Sequence, residues 1–143
     1  MKSFLLACVL CLASFFSEAQ GEIVKDSLRF STVISLNEKV DFEDYQIKFK
    51  NVITDSRCPK SVMCIRAGEA YVLVSIYKNG DFIEDKKIRI DASGYVMAST
   101  NLVLDAKDFK IYGFALTPYP VDTNDTLEKD YELEIVIKPK RLE

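Results

Sequence analysis

Beyond residue 20 the chain alternates short apolar, β-branched and aromatic runs with clusters of turn formers, and no run holds a helical period for three turns. Leu28 and Phe30, then Val33, Ile34 and Leu36, mark a first strand with an irregularity near Thr32, closed by Asn37-Glu38-Lys39. Val40 and Phe42 mark a short second strand, and Glu43-Asp44 a turn. Tyr45, Ile47 and Phe49 then alternate with Gln46, Lys48 and Lys50, the pattern of a strand buried on one face. Val52 and Ile53 are adjacent, so the phase slips after Asn51 and a bulge is expected there.

Ala70 to Tyr77 is the most continuously apolar run of this region and reads as a central strand buried on both faces. Asn79-Gly80 follows at once, and both positions of a type I′ turn need positive φ, so a tight hairpin is predicted. The return strand runs from Phe82 to Ile90, with Ile88 and Ile90 inward and Lys87 and Arg89 outward, and Asp91-Ala92-Ser93-Gly94 closes it. Tyr95 to Met97 and Leu102 to Leu104 are short candidate strands, and Asp105 to Asp108 a turn. Phe109, Ile111, Gly113 and Ala115 share one phase and Tyr112, Phe114 and Leu116 the other, which predicts a second strand apolar on both faces. Gly113 there admits close approach by another group. Pro118 and Pro120 end that strand, since proline donates nothing to a ladder. A polar loop, Asp122 to Lys129, leads to a last strand from Tyr131 to Ile137, stopped at Pro139. The fold class is therefore all-β: one antiparallel sandwich or partly open barrel of about seven to eight strands.

Residues 1–19 break this pattern. Met1-Lys2 is followed by a nearly unbroken apolar run from Phe4 to Phe16 and by Ser17-Glu18-Ala19, the layout of a secretory signal, with cleavage expected before Gln20. The run is shorter than the roughly 20 residues a membrane span needs. A lipid anchor on Cys8 is not expected, because too few apolar residues precede it and the run continues beyond. Residues 20–143 then form a single domain, the size one core supports. The formal net charge of -3, with cations scattered along the chain, argues against nucleic acid or an anionic membrane as partner.

Loss of the signal removes Cys8 and Cys11 and leaves Cys58 and Cys64, which in an oxidising compartment read as a disulfide. A zinc pair would lack histidine partners, and the spacing is not the Cys-x2-Cys of redox enzymes. No cofactor is expected. The chain has no histidine, which removes the usual base near neutral pH. Gly21, Gly68, Gly80, Gly94 and Gly113 stand singly, so no phosphate-cradling loop is present. No catalytic residue is expected; acids at this density usually form a solvated face.

The stretch Asp55 to Ala70 is neither ordinary strand nor ordinary turn. Its disulfide closes a short loop worth about 2 kcal/mol on chain entropy, a local shape-fixer. One reading makes this a corner capping the sandwich. The other makes it an interaction loop of Arg57, Lys60, Ser61, Val62, Met63 and Arg66, presenting Lys60 to Met63 to a protein partner, as a secreted enzyme inhibitor would. Arg57 or Arg66 is expected to pair with Asp55 or Glu69; two converging arginines holding an anion is the alternative. Asp122 to Asp130 offers oxygen ligands for calcium, and Asn124-Asp125-Thr126 is a glycosylation sequon.

The run Asp55-Ser56-Arg57-Cys58-Pro59, with Val62, Cys64, Ala67-Gly68-Glu69-Ala70, and later Pro118-Tyr119-Pro120 and Tyr131, resembles a family of uncharacterised exported bacterial proteins and lipoproteins. That family pairs an Asp-Ser-Arg-Cys-Pro...Cys-x-Trp-Ala-Gly segment with a Pro-Tyr-Pro segment before the last strand. Arg66 stands here where the pattern has tryptophan. The resemblance implies export and the fold and adds nothing about mechanism. The expectation is a non-enzymatic exported β-domain with a structural or interaction role at the periplasm or cell surface.

Overall fold

The computed structural model describes residues 30–92, 97–122 and 130–140. Among these, eight strands form two four-stranded antiparallel sheets: β1 (Phe30–Ser35), β2 (Lys39–Phe42), β3 (Tyr45–Asp55), β4 (Glu69–Lys78), β5 (Asp81–Asp91), β6 (Leu102–Asp105), β7 (Phe109–Thr117) and β8 (Glu132–Pro139). The sheet orders are β2-β3-β4-β5 and β1-β8-β7-β6, a sandwich with no closed barrel. Leu28, residues 93–96, 123–129 and 141–143, and the expected signal lie outside the described residues. So do Tyr95, Asn124 and most of the calcium loop.

Local chemistry sets the turns. Asn79 (φ 51°) and Gly80 (φ 87°) both take the left-handed conformation, and Lys78 pairs with Asp81 across the two-residue loop as the Asn-Gly signal predicts. Glu43 (φ 53°) turns β2 into β3, where Phe42 faces Tyr45. Asn37 (φ 70°) sits at the corner where the chain passes from one sheet to the other, its amide donating to the Phe49 carbonyl. The bulge expected near Val52 is present as two register shifts, at Phe49/Asn51 and Val52/Thr54.

Ile47, Phe49, Ala70, Val72, Val74, Ile76, Ile88 and Ile90 of one sheet meet Ile34, Val103, Phe109, Ile111, Leu133, Ile135 and Ile137 of the other. Gly113 faces the other sheet with no room for a side chain: a Cβ there would stand 2.5 Å from Ile88 Cδ1 and 2.9 Å from Ile90 Cδ1. Aliphatic side chains of the facing sheet make this approach.

Three expectations are corrected. β1 keeps a continuous register through Thr32, with Ile34 in the core and Val33 exposed. β4 is central in its sheet but buried fully on one face only; Tyr71, Leu73 and Tyr77 are half-covered. β7 likewise buries Phe109, Ile111 and Gly113 and leaves Tyr112 and Phe114 half-exposed. A two-layer sandwich has a single interior, so the outer apolar side chains of central strands are shaded by their neighbours instead of a third layer. On β4 the shading is cationic: Lys87 Nζ lies 4.2 Å from the Tyr71 ring and Lys39 Nζ 4.3 Å from that of Tyr77.

Candidate functional site: a clamped loop with an apolar tip

The segment 56–68 joins β3 to β4, and the segment carrying Pro118-Tyr119-Pro120 follows β7, so the two emerge at the same end of the sandwich. After the two bulges, Asp55 pairs with Ala70 on the core side of β3, and its carboxylate is almost wholly buried. Arg57 reaches it from two residues on. Nε donates to Asp55 Oδ1 at 2.8 Å and Nη2 to Oδ2 at 2.6 Å, the planar fork that only arginine provides. The side chains are 3% and 4% exposed for Arg57 and Asp55.

The remaining guanidinium donors cross to the other sheet. Nη1 donates to the Leu116 carbonyl at 2.5 Å and Nη2 to the Pro118 carbonyl at 2.9 Å. Tyr119 stacks on the same group, 4.9 Å from its ring centre to Cζ. The Tyr131 hydroxyl, from just before β8, donates to Asp55 Oδ2 at 3.0 Å. Arg57 thus fastens the end of β3 to the end of β7 through buried, charge-assisted bonds. Burial pushes the Asp55 carboxyl up, but the hydrogen bonds and charge of Arg57, with Tyr131, overrule it and hold the group below the ordinary aspartate range.

Above this clamp the loop has a narrow neck. The Ser56 amide and hydroxyl both donate to the Glu69 carbonyl, at 3.0 and 2.7 Å, and the Cys58 amide donates to Ala67 at 2.8 Å. Gly68 completes the neck at φ 76°, where a Cβ would lie 2.0 Å from the Ser56 carbonyl oxygen, so no other residue fits. Cys58 and Cys64 are joined as a disulfide with Cα atoms 6.0 Å apart. The zinc and redox readings of that pair give way to it. On the outer side the Lys60 and Ser61 amides donate to the Pro120 and Val121 carbonyls at 3.1 and 3.0 Å.

What this frame holds out is apolar. Val62 is half-exposed, while Met63 and Ile65 are 99% and 105% exposed. Lys60, Ser61 and Arg66 are exposed beside them. The expected pairing is made by Arg57 with Asp55, and Arg66 makes no ion pair among the described residues. Arg66 lies on the solvent side of the neck, where water already satisfies a guanidinium and a surface pair gains little. The two arginines therefore do not converge, and Arg57 is committed to protein acceptors.

A cleft of about 230 Å³ beside Arg57 is lined by Ile90, Asp91, Phe114, Leu116 and Tyr119. It is smaller than the roughly 300 Å³ at which small-molecule sites begin, and its Asp91 is held by Arg89. Among the described residues no group of three or more His, Cys, Asp or Glu is placed to hold a metal ion. The arrangement positions and holds the loop.

Sequence reasoning singled out the loop, the disulfide and a pairing of Arg57 or Arg66 with Asp55 or Glu69, without choosing between them. It missed Tyr119 and the Leu116 and Pro118 carbonyls as partners of Arg57, and Tyr131 as a partner of Asp55, which only the meeting of the sheets supplies. It also ended the tip at Met63, because Ile65 stands alone between Cys64 and Arg66 with no periodic signal. No protein-family model, curated protein or solved structure matches the chain.

Proposed function

We propose that this protein is an exported, non-enzymatic binding domain whose disulfide loop is its recognition element, acting at the periplasm or cell surface. The observation that carries this reading is the contrast between base and tip. Ordering a loop by a buried ion pair, a disulfide and backbone bonds reduces the entropy lost on binding. Met63 and Ile65, bare of neighbours, serve no core and gain burial only against another surface. Export follows from the signal-like residues 1–19 and from the resemblance carried by Asp55 to Ala70.

The test replaces Met63 and Ile65 together by serine. The expected outcome is a protein of unchanged melting temperature that no longer co-purifies with its own envelope fraction. Full retention there by the double variant would refute the reading.

The backbone bonds that hold Lys60 and Ser61 favour a second reading, a secreted inhibitor whose rigid loop enters an enzyme's cleft. In that case the intact chain slows a cognate protease, and alanines at Lys60 to Met63 abolish the effect without lowering the melting temperature.

A further inference from the structure

The geometry points to an anionic lipid surface as what the loop tip binds. The inference rests on the proposal that the loop is the recognition element, and names its partner. Three aliphatic side chains, Val62, Met63 and Ile65, project from residues 62–65, and Val121 on the adjoining segment is also exposed. None of them lines the cleft beside Arg57. Exposed apolar side chains of this kind mark protein or membrane contacts, and apolar groups flanked by cations suit an anionic bilayer interface, which needs no matching pocket.

The charges around the tip are of one kind within the loop. Between Asp55 and Glu69 the chain has no carboxylate, and Asp55 is buried and paired with Arg57. That leaves Lys60 and Arg66 exposed on either side of the apolar residues. In the hydrogen-bonded segment 117–122 the one carboxylate is Asp122. The net charge of -3 argues against an anionic surface only at long range: at physiological salt, charges farther apart than about 8 Å are screened, so the two flanking cations decide at contact. The clamp then has a purpose at a membrane, since a rigid neck keeps the tip projecting instead of folding back onto the sheet.

Because the chain has no tryptophan, Ile65→Trp introduces a single tryptophan at the tip, which can be excited selectively over the tyrosines. Mixed with vesicles of phosphatidylglycerol and phosphatidylcholine, the full-length variant is expected to shift its emission to the blue and to be quenched by brominated lipid. Added salt weakens the effect. Changing both cations, Lys60→Glu with Arg66→Glu, is expected to weaken partitioning by roughly fivefold or more per site. Met63→Ser in the same fluorophore background is expected to weaken it by about tenfold. The N-terminal residues are common to all variants, so these differences report the loop alone. Emission unmoved by vesicles overturns the lipid assignment. If the Met63 and Ile65 serine variant nonetheless loses its envelope partner, the recognition loop stands and its partner is a protein; if it keeps that partner, both readings fall.

Discussion

Arg57 carries more of this end of the molecule than any other side chain. Removing one partner of a buried ion pair leaves an uncompensated charge and typically costs about 3–5 kcal/mol, so Arg57→Ala is expected to lower unfolding free energy by that order in urea melts. Arg57→Lys should recover little, because an ammonium cannot span Asp55 and the Leu116 and Pro118 carbonyls together. Asp55 makes the clamp sensitive to acid. Its folded pKa lies below the ordinary one, so its contribution is complete above about pH 4 and is lost as pH falls through the folded value. Urea melts from neutral pH downward should show stability declining in that acid range, with Asp55→Asn less stable throughout and flatter below pH ~4. The sequence made this pair foreseeable but not its choice of arginine. Arg57 and Arg66 are equivalent neighbours of the loop in one dimension, and what separates them is two carbonyls contributed by β7 and the residues after it, far along the chain.

At the scale of elements, turn chemistry was the most legible. Asn79-Gly80, Glu43-Asp44 and the prolines after β7 each act through backbone geometry that one or two residues dictate. The doubly apolar runs of β4 and β7 misled, because composition does not say how many layers cover a sheet. Two glycines separate conformation from contact. Gly80→Ala meets no atom within 4 Å and should cost only the left-handed strain of about 1–2 kcal/mol. Gly68→Ala adds a collision with the Ser56 carbonyl and should be distinctly worse, a difference thermal melts of the two variants would show. Replacing Cys58 and Cys64 by serine should cost about 2 kcal/mol, the entropy of a short closed loop. The Arg57 clamp lies outside that loop, so the sandwich should still fold; a reduced protein that fails to fold would show the disulfide to be the principal support.

For the whole molecule, the sandwich serves as a platform: two sheets share one core, and at one end a buried ion pair bridging them supports a loop with an apolar tip. The all-β class and the strand count were readable from alternation and turn spacing. The pairing of the sheets was not, since hydrogen bonds such as Lys60 to Pro120 join segments that no local pattern relates. The separation of a stabilising base from a recognising tip is the central claim, and a paired measurement on Met63→Ser/Ile65→Ser tests it most directly: thermal unfolding together with retention on the envelope fraction. A melting temperature close to wild type is expected, as surface substitutions change stability by about 0.5 kcal/mol or less, with binding reduced about tenfold or more. Unchanged binding, or a large fall in melting temperature, would contradict it.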